Sequence, residues 1–327
     1  MATTVIASST TSVGPGRKHG VVARRIVPYA PLALAMLGNL ATGTAGPQAT
    51  TPSDFAAAVC GEGIGGYEEC HSQYPTGCSK AAKYDGYLNE LKNLAVSPAN
   101  APVRWLEQKD FAALDQQTPH NLARDTHAQF GDDLKKLGEG SVAGLVGYLY
   151  YAQPGGKSES SNCQLGAPED IDFHIGIGFD AALAAKLAGK TKLTPDENGA
   201  MKKGSVIVEM TPHWRARFQP GWSLDLLKTA LGHPVRVVGQ LLIDNEHYDT
   251  KDDCALAGAS QDTCWRASVW ELHPVTQFQV CGNAAGCSAS GTGWVDLEEF
   301  KIDKSGAPVP PPSVAPPAAA SPPAPGL

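Results

Sequence analysis

The chain has 327 residues, 42% of them hydrophobic, and its 26 basic against 33 acidic side chains leave a formal charge of −7 at pH 7. This length could hold two domains. The acidic balance disfavours general nucleic-acid binding, because Lys and Arg contacts to phosphates supply most of that affinity.

The N-terminal 45 residues have the order of a secretory signal peptide. They contain no acidic residue and four basic ones, Arg17, Lys18, Arg24 and Arg25. An apolar run over 26–40 and small residues over 41–45 follow. We expect cleavage near residue 45 and export to the periplasm or beyond, with no integral membrane segment left. An uncleaved anchor and a twin-arginine signal at 24–25 are the alternatives.

All eight cysteines follow the predicted cleavage point: Cys60, Cys70, Cys78, Cys163, Cys254, Cys264, Cys281 and Cys287. An even number in an oxidising compartment predicts disulfides. The short spacings favour local bridges at 254–264 and 281–287, which leaves Cys163 to pair with one of the first three. A zinc site at Cys60, Cys70, His71 and Cys78 is the alternative, although it lacks close Cys-x-x-Cys pairs.

Residues 46–137 are predicted to form a helical, cysteine-containing region. Tyr84, Tyr87, Leu88 and Leu91 recur at the spacing of one helix face. A second helix is predicted around 110–114 and a third from 119 to about 137. Its two histidines, His120 and His127, are interpreted as surface residues.

Residues 138–282 change to strand periodicity. The predicted elements are strands at 142–151, 171–178 and 205–210, a helix over 223–231 capped by Ser223, and strands at 235–243 and 266–280. The order β-β-β-α-β-β is that of the OB-fold, a five-stranded barrel. Gly144, Gly147 and Gly239 suit strongly bent strands. We therefore predict a mostly β chain with some α, built on an OB-like barrel, and a β-sandwich is the alternative.

Two segments follow the barrel. Residues 283–305 are a C-terminal extension, and 306–327 are a Pro/Ala-rich tail that is expected to be disordered because it has no periodic apolar residues.

Three short sequence motifs in the barrel segment resemble those of uncharacterised secreted bacterial proteins with an OB-like fold. They are Asp-Ile-Asp-Phe-His-Ile at 170–175, Val-Glu-Met-Thr-Pro at 208–212 and Trp-Glu-Leu-His-Pro-Val at 270–275. The resemblance implies export and a barrel, and it implies no established activity.

The predicted strands place several polar side chains together on one face. If Ile171, Phe173, Ile175 and Ile177 face the core, then Asp172 and His174 point the other way. Glu271 and His273 share a face of the last strand, Glu209 ends the third, and Asp244, Glu246 and His247 follow the fourth. This set is the candidate catalytic site.

Imidazole with carboxylate is a ligand set of catalytic zinc and other divalent metals. A metal on His174 and His273 could activate water against an ester or phosphodiester, with Glu209 or Glu271 as general base. A non-catalytic ligand site and a solvated strand face are the alternatives.

Aromatic and basic residues predict a separate ligand surface in the loops after the third and fourth strands. The candidates are Trp214, Trp222, Tyr248 and Trp265, with Arg215, Arg217 and Arg266 among them. OB-like barrels contact ligands through such loops, although tryptophans could also simply close the barrel ends.

Three functions follow. The first is a binding module for an unknown small molecule, glycan or peptide. The second is a metal-assisted hydrolase, with zinc or another divalent metal as cofactor. The third is a structural envelope protein whose tail contacts other surface material.

Overall fold

The computed structural model describes residues 88, 89, 91, 92, 101–123, 125–156, 159–163, 165–283, 286–304 and 306–309. The predicted signal peptide, most of the predicted cysteine-containing region and residues 310–327 lie outside these ranges. The strands are β1 (Arg104–Leu106), β2 (Val142–Pro154), β3 (Phe173–Gly178), β4 (Val206–Met210), β5 (Pro234–Ile243), β6 (Trp270–Cys281) and β7 (Trp294–Asp296). The α-helices are α1 (Gln108–Gln117), α2 (Gly131–Leu137), α3 (Ala181–Ala188), α4 (Pro195–Lys203), α5 (Pro212–Phe218) and α6 (Leu224–Thr229).

Five strands close a barrel. β2, β3, β4, β6 and β5 pair in that order, and β5 pairs back onto β2. All of these neighbours are antiparallel except β4 and β6, which are parallel. The predicted class is confirmed, and the closed barrel is compatible with an OB-like one and not with a β-sandwich. β1 and β7 extend the sheet beside β2 and β6.

The barrel closes because β2 is long enough to serve two neighbours. Residues 142–148 pair with β5, and residues 148–154 pair with β3. The register of the β5–β6 pair shifts at Gly239. A Cβ there would lie 2.6 Å from the carbonyl oxygen of Pro274, so only glycine permits this close approach.

Side chains alternate between the barrel interior and its outer face. Phe173, Ile175 and Ile177 are at most 3% exposed and belong to the main core, as predicted. Helix α6 begins as predicted, with the backbone N–H of Leu226 donating to Oγ of Ser223 at 3.2 Å.

The predicted third helix over 119–137 is wrong in its first part. Residues 127–130 form a 3₁₀ turn, and only α2 is α-helical. The Thr126 hydroxyl accepts from the Ala123 N–H at 2.8 Å and donates to the Ala123 carbonyl at 3.1 Å, so it competes with the helical hydrogen bonds.

His120 is exposed, as predicted, but His127 is not a surface residue. Its side chain is buried between the barrel and the helical region. Nδ1 lies 3.0 Å from Oδ1 of Asn245, and Nε2 lies 2.9 Å from Oε1 of Glu139. Sequence periodicity missed this because Asn245 is distant in the chain.

The two local disulfides, Cys254–Cys264 and Cys281–Cys287, are confirmed. Cys163 is also disulfide-bonded, and the three cysteines predicted as its possible partners lie outside the described residues. Stable disulfides are typical of proteins outside the cytoplasm. Within the described residues, no helix is both long and apolar enough to cross a membrane.

Candidate functional site

A polar cluster lies on the outer face of β3, β4 and β6. His174, Glu209 and His273 alternate with core residues in these strands and so point away from the barrel interior. His174 is directly opposite Glu209 in the β3–β4 pair. In the parallel β4–β6 pair, Val208 is opposite Leu272, which brings Glu209 beside His273.

The side chains of this cluster contact one another in series. Nε2 of His174 lies 3.3 Å from Oε1 of Glu209, and Oε2 of Glu209 lies 3.0 Å from Nδ1 of His273. Nε2 of His273 lies 3.3 Å from Oδ2 of Asp172. Oε1 of Glu271 lies 3.2 Å from Nδ1 of His273, so five of the predicted catalytic candidates converge, and His247 is not among them.

The interpretation of this face as a solvated surface is wrong. Asp172, Glu271 and His273 are completely buried, and only the His174 side chain is appreciably exposed, at 20%. The face is dry because other parts of the chain cover it.

The cover comes from the helical residues 88, 89, 91 and 92 and from the loop before β3. Nζ of Lys92 lies 3.4 Å from Oε2 of Glu159. The Ser161 hydroxyl donates to Oδ2 of Asp172 at 2.6 Å, and the backbone N–H of Asp172 donates to Oδ1 of Asn162 at 2.7 Å. This cover holds Asp172 in a fixed position above the sheet.

Sequence reasoning missed Lys92 and Glu159. A lysine directly after Leu91, on a helix with an apolar face, was a usable signal for a buried charge. Glu159 had none, because it lies in a polar loop whose position depends on the folded barrel.

A second set of ion pairs leads away from the cluster. Arg266 contacts Oε2 of Glu271 at 2.7 Å and Oδ2 of Asp244 at 3.3 Å. His247 lies 3.7 Å from Asp244 and 2.7 Å from Asp252. His247 is thus separated from the other candidate histidines by Arg266, which is 1% exposed and contacts Asp244, Glu271 and the Ser268 carbonyl.

Neither candidate general base has both the basicity and the access that hydrolysis needs. Burial by itself would raise the pKa of Glu209, but the two histidines and Lys92 hold it well below its ordinary value. A carboxylate of such low pKa is a weak base. Burial, with the charge of Glu209 next, raises the pKa of Glu271, but this side chain is completely enclosed. The hydrolase remains a prediction.

The cluster has a strong attraction for positive charge. Burial by itself would lower the pKa of His273, but the carboxylates of Glu209 and Asp172 raise it well above its ordinary value. Among the described residues, Asp172, Glu209 and His273 each offer one ligand atom, and these atoms all lie within 4.8 Å of one another. These three residues could hold a metal ion.

The predicted ligand surface divides into two separate places. Trp265 donates its indole N–H to Oδ1 of Asp252 at 2.9 Å, and the Tyr248 hydroxyl donates to the Thr118 carbonyl at 3.3 Å. Trp265 and Tyr248 therefore stabilise the loop between β5 and β6 through these hydrogen bonds. Arg266 is not part of an exposed ligand surface, because it is buried between Glu271 and Asp244.

The remaining predicted residues lie around α5 and α6. Trp214 stacks on Phe218 with ring centroids 4.3 Å apart, and Arg217 is exposed nearby. Trp222 and Arg215 line a cleft of about 600 Å³ between the 3₁₀ turn at Pro168–Asp170 and these two helices.

Arg215 forms part of the cleft wall. Its guanidinium lies 3.6 Å from the centre of the Phe173 ring and donates to the carbonyl of Met210 at 3.0 Å and to those of Glu169, at 3.1 Å, and Ile171. Burial lowers the pKa of Arg215 to about 10. Arg215 thus joins α5 to the segment before β3 and shapes the cleft.

Comparison of the chain with protein-family models, curated proteins and solved structures finds no match.

Proposed function

We propose that this chain is an exported, disulfide-stabilised binding module that holds a peptide or oligosaccharide segment in the cleft beside α5 and α6. The cleft carries the proposal. Its volume of about 600 Å³ lies within the range of roughly 300–1,000 Å³ common for ligand sites. Phe173, Trp222 and Leu224 provide apolar walls, and Asp170 and Lys228 provide charged groups.

The lining favours a peptide over a sugar. A sugar ring buries hydroxyl groups that each need a hydrogen-bond partner, and most of this lining is apolar. The apolar side chain of a peptide would fit against Trp222 and Leu224 without that cost. The acidic balance of the chain supports a ligand other than bulk nucleic acid.

Two further observations support export. The first 45 residues have the pattern of a signal peptide, and the chain carries two local disulfides.

The test is to fill the cleft without disturbing the core. Ala216 lines the cleft and is exposed on α5, so Ala216→Trp should occupy the space that a ligand needs. Ala185→Trp is the matched control, because Ala185 is an exposed helical alanine on α3 that does not line the cleft. Trp222→Ala is a poor test, since Trp222 belongs to the core.

Ligands would be selected from peptide and glycan arrays with the unmodified protein and measured by fluorescence anisotropy. Ala216→Trp should weaken binding about tenfold or more, equivalent to about 1.4 kcal/mol, while Ala185→Trp should leave it unchanged. Equal affinity in both variants, or no ligand on either array, would contradict the proposal.

A further inference from the structure

Three segments of the chain bring ligand atoms to one point on the outer face of the barrel. Asp172 precedes β3, Glu209 lies in β4 and His273 lies in β6. Their ligand atoms are all within 4.8 Å of one another. A cation with bonds of about 2.0–2.2 Å to nitrogen and oxygen holds its ligand atoms at most about 4.4 Å apart, so the three side chains would draw closer together on binding it.

Two buried atoms of these side chains have no hydrogen-bond partner among the residues that the structure describes. They are Nε2 of His273 and Oε2 of Glu209, in side chains that are 0% and 2% exposed. Nε2 approaches Asp172 at 3.3 Å, and Oε2 approaches Nδ1 of His273 at 3.0 Å, but neither contact has hydrogen-bond geometry. Buried polar atoms are nearly always satisfied, so such a pair indicates a missing partner.

The neighbours of His273 leave Nε2 for a metal. Nδ1 makes a hydrogen bond to Oε1 of Glu271 at 3.2 Å. A neutral ring that donates its one proton from Nδ1 to Glu271 would present its lone pair to a metal at Nε2. Glu271 is in turn held by Arg266 at 2.7 Å. A carboxylate behind a metal-binding histidine is the usual outer support of such sites.

The surrounding charge also favours a cation. The carboxylates of this network outnumber its permanent positive charges, which are Lys92 and Arg266. The carboxylates are those of Glu159, Asp172, Glu209, Asp244 and Glu271. A divalent ion would offset most of this excess where it is least screened by water.

We propose that Asp172, Glu209 and His273 bind one divalent transition cation, of the class of Zn²⁺ or Mn²⁺. One imidazole with two carboxylates suits these ions. This site is independent of the peptide cleft and is not required by the binding function.

The ion would stabilise the barrel where its pairing is shortest. The parallel β4–β6 ladder has one registered pair, Val208 with Leu272. Glu209 and His273 lie directly beside that pair, and Asp172 adds the segment before β3. The cation would therefore act as a cross-link between three strands and not as a reaction centre open to substrate.

The first experiment measures metal in the full chain, exported, without a His tag and with its disulfides intact. After loading with Zn²⁺ or Mn²⁺ and desalting, elemental mass spectrometry should find about one equivalent per chain, as for a single site. Chelation with EDTA should lower the melting temperature, and returning either ion should restore it.

Conservative variants locate the ion. Asp172→Asn and Glu209→Gln keep the side-chain size and should each weaken Zn²⁺ affinity about tenfold or more. Glu139→Gln is the matched control, because Glu139 is another buried glutamate in contact with a histidine, His127. It should bind Zn²⁺ as the unmodified chain does.

Two results would overturn the proposal. One is the absence of metal from the unmodified chain after loading, with no effect of EDTA on melting. A proton on His273, joining Asp172 and Glu209, would then occupy the same place. The other is equal metal content in the control and the two site variants. The first result is measured on the unmodified chain, so it can overturn the proposal even if a variant misfolds.

Discussion

Asp115 shows how strongly burial controls ionisation in this molecule. Its side chain is 1% exposed, and Oδ1 accepts a hydrogen bond from the Ser268 hydroxyl at 3.0 Å. Within the described residues, Oδ2 has no hydrogen-bond partner. Burial, with the charge of Asp253 next, raises the pKa of Asp115 to about 8. The folded protein therefore holds this carboxyl group as a neutral acid at pH 7.

This shift predicts that Asp115 lowers stability as pH rises. The unfolded chain releases the proton near the ordinary carboxyl pKa of about 4, whereas the folded chain keeps it until about pH 8. Folding therefore binds a proton between those values, and the free energy of unfolding falls from about pH 4 to pH 8.

Asp115→Asn keeps an acceptor for Ser268 and removes the group that titrates, so it should flatten this part of the pH profile. One pKa unit corresponds to about 1.4 kcal/mol. From pH 5 to pH 8, the free energy of unfolding of the variant should therefore rise by ~2 kcal/mol or more relative to that of the unmodified chain. Urea unfolding at both pH values measures it. A pH profile parallel to that of the unmodified chain would show that Asp115 ionises normally.

Strand β3 depends on glycines under tyrosine rings. A Cβ at Gly178 would lie 1.8 Å from Cε2 of Tyr150. The ring cannot move aside freely, because the Tyr150 hydroxyl donates to the Asp180 carbonyl at 3.0 Å and accepts from the Asp180 N–H at 2.8 Å. The contact between β2 and β3 thus requires a residue without a side chain.

Gly178→Ala should destabilise the protein by about 1–3 kcal/mol, as for an overpacked core. Gly199→Ala is the control, because Gly199 lies within α4 with nothing within 4 Å of an added Cβ. It should be neutral or stabilise by up to about 1 kcal/mol through helix propensity. Denaturant unfolding of both variants measures the two effects. Equal changes in the free energy of unfolding would mean that the Tyr150 ring moves aside for the added methyl group.

At the scale of the whole molecule, segments outside the barrel share its core. Phe111 and Leu114 of α1 pack into the same cluster as Leu272 of β6, and so do Leu297 and Phe300 of the C-terminal extension. At the start of the predicted tail, residues 306–309 fold back, with an isolated bridge between Ile302 and Pro308. The barrel therefore depends on residues on both sides of it.

Export is a prediction about the whole chain. Expressed in a bacterium, the chain should be recovered outside the cytoplasm with residues 1–45 removed, because the charged, apolar and small-residue segments follow in signal order. Mass spectrometry of the fractionated protein measures this. A chain that keeps its first residues in the cytoplasmic fraction would contradict it.

Two controls sharpen that experiment. Deletion of 26–40 removes the apolar segment and should keep the chain inside the cell. Replacement of both Arg24 and Arg25 by Lys should leave ordinary secretion intact, whereas a complete loss of export would indicate the twin-arginine route.

Local patterns predicted the five barrel strands, because alternation of apolar residues is a property of the strand itself. Helices α3 and α4 were not predicted, although Thr194 and Glu197 form a capping box and Pro195 is the first residue of α4. The single helix over 119–137 was wrong because Thr126 offers the backbone other hydrogen bonds.

The sequence by itself determined which side chains leave the core: Asp172, His174, Glu209, Glu271 and His273. Only the tertiary structure decided that these five side chains meet and that most of them are dry. Their meeting depends on the order β3, β4, β6, and their burial depends on Lys92 and Ser161. Contacts between residues far apart in the chain leave no periodicity in the sequence, so alternation could assign the face and not its surroundings.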